Sequence, residues 1–430
     1  MRFFCIVSVQ MGMLEIPVFT LTSAHEEALT MPIQPAQLRI TDDEFRARCD
    51  YLLTVIQQAG HSGVVLFDAD YVKYYTGFAF TMTERPMAFV MNTSGERGLF
   101  VPRLEREHAQ MNALVDYVKD YAEYPGKHHP IHALVELLAE MNVTGTVGAD
   151  EDGYPWVFGY RGEKLSVAAS LDVQPVRAHV EDQMMIKSEA EIALLRESCV
   201  WGNLAHRLLQ RYTRPGVTET EVAQRASDEA TRAMLDAIGE IYRGQSTYYN
   251  GAIAIYRGQI GRNGAIPHAL ANNIVFQAGD VLVTAASAPV WGYVSELERT
   301  MILGQPTDDQ RRFFDHMLEV QTLAMDAIRP GRLCSEVDQD VQAYFRQHDL
   351  MDYWKHHTGH CIGLRYHEGP FLDIGDDTMI QPGMVFTVEP GLYQAGLGGF
   401  RHSDTVVVRE TGVEMLTYYP RDLESLILPI

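Results

Sequence analysis

Four stretches in the second half of this chain carry side chains able to do acid–base or ligand chemistry. Pro267-His268 ends a Gly- and Asn-rich loop that begins at Arg262-Asn263-Gly264. Next comes Trp291-Gly292-Tyr293-Val294-Ser295-Glu296-Leu297-Glu298-Arg299-Thr300. In an extended strand Glu296 and Glu298 would share one face, because successive side chains alternate. The third stretch is His357-Thr358-Gly359-His360-Cys361, with His367-Glu368-Gly369-Pro370 shortly after it. The last, Thr387-Val388-Glu389-Pro390-Gly391-Leu392-Tyr393, puts a carboxylate at the end of an apolar run. An imidazole is a proton donor and acceptor near neutral pH. Carboxylates hold an organic cation by charge-assisted hydrogen bonds, or a metal ion together with histidine. Taken singly, each group has a plainer explanation: His268 on the surface, the glutamates on a solvated edge strand, His356, His357 and His360 in an exposed cluster. Glu389 fits such a reading least well, since a carboxylate buried in an apolar run is costly without partners. The four together argue for a site.

The elements that must position these groups are legible around them. Arg214-Pro215-Gly216 is followed by Glu221-Val222, and Arg329-Pro330-Gly331 by Glu336-Val337, at the same offset. In both copies the chain continues to a Gly-led apolar run, Gly279-Asp280-Val281-Leu282-Val283 and Gly383-Met384-Val385-Phe386-Thr387. A helix-and-strand unit used twice predicts a pseudo-twofold domain whose central cleft collects residues from both halves. Its start is marked by Lys187-Ser188-Glu189-Ala190-Glu191, where Ser188 and Glu191 have the spacing of a capping box. Upstream, helical spacing over residues 42–59, a short strand over 63–67 and two strands over 88–91 and 98–101 joined by a turn predict a small layered α/β domain. We therefore expect an atypical extension over residues 1–35, a first domain over 36–180 and a second over 181–430. Within the extension, the run Phe3 to Val9 after Arg2 resembles a signal h-region, but Gln10 interrupts it before any small-x-small cleavage site.

Composition narrows the partners. With 430 residues, 46% hydrophobic and 21% charged, the chain can fill more than one core. Its net charge of −22 argues against nucleic acid, whose phosphates an acidic surface repels. The sequence has no apolar run of spanning length, so no membrane segment is expected. Five widely spaced cysteines without a CxxC pair fit reduced thiols and a cytoplasmic location.

The succession PH, GY-x-x-E-L-E-R-T, GH-x-x-G with HE-x-P, and VEPG-x-Y resembles the "pita-bread" family of aminopeptidase P, prolidase and creatinase. The resemblance covers residues 36 to 425, and Ile186-Lys187-Ser188 with Glu191-Ile192 is similar to the family's linker. It implies a small N-terminal creatinase-like α/β domain, a duplicated C-terminal pita-bread catalytic domain, and a homodimer. The family's metallopeptidases hold two ions with two Asp, one His and two Glu. At those positions this chain has Ala285, Glu296, His360, Glu389 and Ser403. Alanine has no donor atom and a serine hydroxyl is a poor bridge between divalent cations.

These departures lean towards creatinase, the family's metal-free member. Read that way, no cofactor is favoured and the reaction is hydrolysis of an amidine or amide C–N bond in a small carboxylate-bearing substrate. His268 would be the general base and acid, Glu298 and Glu389 would orient a cationic group, and His360 and His367 would relay protons. Arg85, Tyr293 and Arg401 are the substrate-binding candidates, with Arg85 reaching the neighbouring subunit's site in the dimer. Phe371 stands where creatinase has a second carboxylate-binding arginine. The alternative is a metal-dependent Xaa-Pro aminopeptidase or dipeptidase with one divalent ion (Mn, Zn or Fe) on Glu296, His360 and Glu389. A lyase, or a non-catalytic binding module on the same fold, are further alternatives.

Overall fold

The computed structural model describes residues 38–430. The expected extension over residues 1–35 lies outside the described residues. The first helix, Asp42–Gln58, starts at Thr41, whose hydroxyl accepts from the Glu44 amide at 3.3 Å. Asp42, Asp43 and Glu44 in its first turn complement the helix dipole. Phe45, Cys49, Leu52 and Ile56 form its buried stripe.

Six strands follow: β1 (Gly63–Leu66), β2 (Ala88–Asn92), β3 (Arg97–Pro102), β4 (Tyr117–Tyr121), β5 (Thr146–Ala149) and β6 (Asp172–Pro175). They form one sheet in the order β4-β3-β2-β1-β5-β6. Val64 and Leu66 pack with the first helix, while Val65 and Phe67 pack with Ile131, Leu134 and Leu138 of helix Pro130–Glu140. Both faces are covered, which is why these strands read as unbroken apolar runs.

At the junction the capping box forms as expected. Ser188 Oγ accepts from the Glu191 amide and Glu191 Oε2 accepts from the Ser188 amide. Beside it Lys187 Nζ lies 2.7 Å from Glu368 Oε2, both side chains buried. The glutamate of the HE-x-P stretch therefore anchors the linker rather than lining a cleft.

The rest of the chain contributes β7 (Ile253–Ile255), β8 (Val281–Val283), β9 (Ala285–Ser287), β10 (Leu297–Glu298), β11 (Thr300–Leu303), β12 (Gly359–Cys361), β13 (Glu368–Leu372), β14 (Val385–Val388), β15 (Gly391–Gln394), β16 (Gly398–Arg401) and β17 (Ser403–Arg409). The larger sheet runs β13-β12-β14-β17-β10-β9-β7; β8 pairs with β11, and β15 with β16. Helices Glu189–Tyr212, Glu219–Ile238, Asp308–Ala327 and Cys334–Gln347 bury their apolar stripes against these strands in one continuous core.

The internal repeat is real in backbone geometry. Gly216 and Gly331 both have φ of +87°, a conformation that favours glycine. Their amides donate to the carbonyls of Phe276 and Ile380 at matching points. Each turn then leads into the helix that precedes a central strand. Cys49, Cys199, Cys334 and Cys361 are buried free thiols. No helix among the described residues is long and apolar enough to cross a membrane.

Candidate active site

The two halves of the repeat meet at a cleft of about 480 Å³ whose walls include His268, Glu296, Glu298, His356, His357, His367, Glu389 and Arg401. Backbone pairing brings the motifs together. Glu298 on β10 is opposite Ser403 on β17, and Leu297 is opposite Ala286 on β9. The Glu389 amide, just beyond β14, donates to Thr358 O at 2.8 Å, beside the start of β12.

The Arg-Thr of the E-R-T motif braces this junction from behind. Arg299 is fully buried, its guanidinium 2.8 Å from Asp404 Oδ1 and also donating to the carbonyls of Glu298, Ser403, Tyr419 and Pro420. Thr300 Oγ1 donates to Arg401 O and accepts from the Arg401 amide. A buried charge is tolerable there because every face of it is paired.

At the centre lie Glu296, His360 and Glu389, each offering a ligand atom within 4.8 Å of the others. His360 Nδ1 is 2.9 Å from Cys361 O, so this nitrogen carries the proton and donates it to that carbonyl. Its buried Nε2 lies 3.1 Å from Glu389 Oε1, an ion-pair contact whose angles fall short of a well-formed hydrogen bond. Ser403 Oγ donates to Glu296 Oε1 at 2.7 Å.

Burial, then the charges of Glu389 and Glu298, raise the Glu296 carboxyl above its ordinary range. Burial would raise Glu389 too, but His360, Arg401 and His356 outweigh it and hold this carboxyl low. His360 shows the converse: burial opposes its charge, and Glu389 and Glu296 overcome it, lifting the imidazole to about 9. His367 stacks on His360 with ring centroids 3.9 Å apart, and burial plus that neighbour's charge push it down to about 4.

Several expected residues need correction. Glu298 is only 1% exposed, and its carboxylate is already held by Arg401 on both oxygens and by Arg257 at 2.5 Å. It therefore positions arginines instead of presenting a free carboxylate to a substrate cation. Tyr293 does not line the cleft: its hydroxyl donates to Glu191 Oε1 at 2.7 Å in the junction, near Arg48. Arg85 is ion-paired with Glu84 and Glu123 in the first layered body and lies outside its own chain's cleft walls. Arg401 is in the cleft wall, its guanidinium 3.7 Å from Glu389 Oε2 and its Nη1 3.0 Å from Tyr393 Oη. His268 lies exposed in the cleft wall, on the loop after a short 3₁₀ turn.

Sequence reading missed Arg257, Lys355 and Tyr366. No local spacing singles them out; only the structure shows Arg257 and Gly258 both at positive φ. A non-glycine residue held there marks an imposed position.

Comparison with known proteins agrees with this layout. Residues 193–410 match the model of metallopeptidase family M24, and residues 48–181 match the creatinase/prolidase N-terminal domain. The chain belongs to metallopeptidase family M24. It is 28% identical over 335 residues to a Xaa-Pro dipeptidase of Pyrococcus furiosus, covering 78% of this chain and 88% of that one. It is likewise 28% identical over 375 residues to a probable dipeptidase PepE of Mycobacterium tuberculosis, covering 86% and 93%. A Xaa-Pro dipeptidase structure from Bacillus anthracis superposes with a TM-score of 0.75 at 26% identity, covering 89% of this chain and all of that one. The fold is thus mixed α/β, a creatinase-like N-terminal domain on a C-terminal pita-bread domain, and the family is one of hydrolases of C–N bonds. The expected lean to a metal-free branch finds no support among these relatives.

The family implies metal ions, and the donor set decides how many the chain suits. Ala285 and Ser403 take away two carboxylates that a pair of cations would need. The buried His360 Nε2 within ligand reach of two carboxylates fits one.

Proposed function

We propose that this chain hydrolyses a C–N bond in a short, carboxylate-bearing, peptide-like substrate, with one divalent ion held by Glu296, His360 and Glu389. The observation that carries the reading is the His360 imidazole. Its Nδ1–H is fixed on a carbonyl while its buried Nε2 lies within ligand reach of two carboxylates, where an ion would take the place of the proton shared with Glu389. A divalent ion held there would supply Lewis-acid polarisation of the scissile carbonyl. His268, exposed in the cleft wall, is free to take a proton from the attacking water and deliver it to the leaving nitrogen. Arg401, locked by Glu298 and Tyr393, keeps a fixed positive charge in the wall for negative charge that develops during attack. A cleft of about 480 Å³ suits a dipeptide-sized molecule, and the Xaa-Pro dipeptidase names of the relatives make Xaa-Pro dipeptides the first compounds to assay.

The creatinase-like reading loses its main support with Glu298, whose carboxylate is committed to Arg257 and Arg401. A cytoplasmic homodimer, with Arg85 contributing across the interface, remains part of the proposal; light scattering checks its mass. Elemental analysis of protein purified without added metal should find about one divalent ion per chain, and a chelator should abolish turnover. Full activity in metal-free protein would overturn the reading. His268→Ala should lower turnover by about 10²- to 10⁴-fold with an unchanged circular dichroism spectrum.

A further inference from the structure

Ala285, at the family's first Asp position, borders a second, smaller cavity of about 120 Å³. It adjoins the main cleft, since Arg257, Glu296 and His367 line both. Ile253, Ile255, Ala285 and Ala286 make part of its wall apolar. Two polar atoms of its lining residues are buried without a well-formed hydrogen bond, Arg257 Nε and Tyr366 Oη, the latter close to the Ser287 hydroxyl. Ser287, on the same wall, gives its own hydroxyl proton to Ser295 O at 2.6 Å. Buried donors left unpaired are rare and costly, so their convergence on one cavity points to a ligand. A guanidinium can only donate, and a phenol donates readily to an anion. Arg257, whose Nη2 is held by Glu298, is the cationic side chain of this lining and Glu296 its carboxylate. Glu296 Oε1, however, accepts from Ser403, and the side chain faces His360 and Glu389.

We propose that this cavity is a subsite for a substrate carboxylate on a short aliphatic stem, gripped by Arg257 Nε and Tyr366 Oη. Its volume equals about four waters at roughly 30 Å³ each, enough for a carboxylate and about two carbons. Arg257 Nε can pair only with an acceptor, so the preferred substrate carries an acidic group at this position. The substrate class rests on the hydrolase reading above; the binding site does not.

Calorimetric titration of the full chain with succinate and with n-butylammonium tests it, in wild type, Tyr366→Phe and Arg257→Met. Succinate should bind wild type, and Tyr366→Phe should weaken it about tenfold or more, the loss of one hydrogen bond to a charged group. Butylammonium should not bind. Equal succinate affinity in wild type and Tyr366→Phe, no succinate binding, or butylammonium binding as tightly would each overturn the proposal. Should Arg257→Met fail to fold, the Tyr366→Phe comparison decides alone, because it removes a single oxygen. Repeating the titration after chelation separates the two ideas. Succinate binding that persists in a protein active without metal refutes only the one-ion reading, and a metal-dependent enzyme blind to succinate refutes only the subsite.

Discussion

The two sides of the cleft have been treated differently by this sequence. On one side Glu296, His360 and Glu389 keep three ligand atoms within 4.8 Å of each other, backed by the carbonyl of Cys361 and the strands β12 and β14. On the other, Ala285 and Ser403 offer no charge, Arg257, Arg401 and Tyr366 bring donors, and the Glu298 carboxylate accepts from both arginines. Each half of the repeat contributes to both sides, Glu296 and Ala285 from the first and Glu389 and Ser403 from the second. The side that would hold one ion keeps two carboxylates and an imidazole, while the place of the second is bordered by Arg257 and Tyr366.

The sharpest way to break this comparison is Glu389→Ala, which removes a candidate ligand from the side that keeps its carboxylates and histidine. Turnover should fall by about 10³-fold or more and bound metal should disappear from elemental analysis, because two remaining donors make a poor site. Retained metal would mean that the ion sits elsewhere.

Glu298→Gln attacks the other side. It strips the charge shared by two arginines, one of them fully buried. Stability measured by urea denaturation should drop by about 3–5 kcal/mol, the cost of leaving a buried guanidinium uncompensated. A change under about 1 kcal/mol would show that Arg401 finds another partner.

Acid should also act through the altered side. His206 is fully buried against Thr284, the residue before Ala285, and burial followed by the charge of Arg299 pushes its imidazole down to about 3. Below about pH 6.5 the unfolded chain takes up a proton that the folded chain refuses, so stability falls as pH drops and is fully present above that point. Between pH 6.5 and 4 this one group should remove on the order of 3 kcal/mol. His206→Gln should flatten the acid limb by about one proton's worth of slope.

The mildest change sharpens the comparison by reversing it. Ala285→Asp with Ser403→Glu should raise the metal content from about one to two ions per chain with little change in fold, provided that Arg257 gives way. Unchanged stoichiometry would assign the loss of the second ion to the arginines rather than to the missing carboxylates.

Much of this was legible beforehand, for identifiable reasons. The capping box at Ser188 and Glu191, the helix over residues 42–58 and the twin turns at Gly216 and Gly331 depend on contacts a few residues apart, which spacing reveals. The gathering of His268, Glu296, His360, His367 and Glu389 followed from the order of their motifs. The roles of Glu298 and Tyr293 were misread because both depend on partners far away in the chain. Glu298 meets Arg401 across 103 positions, and Tyr293 meets Glu191 across 102.

The sequence alone therefore determined which groups this protein possesses, what spacing they have and which two ligand positions it lacks. Tertiary structure decided which carboxylates are free. A carboxylate's chemistry is set by burial and by the charges within a few ångströms of it, and in this chain those neighbours come from other strands. Glu298 is taken up by arginines from the loop after β7 and the end of β16, while Glu389, on an equally apolar stretch, meets the His360 imidazole at 3.1 Å and Arg401 only at 3.7 Å.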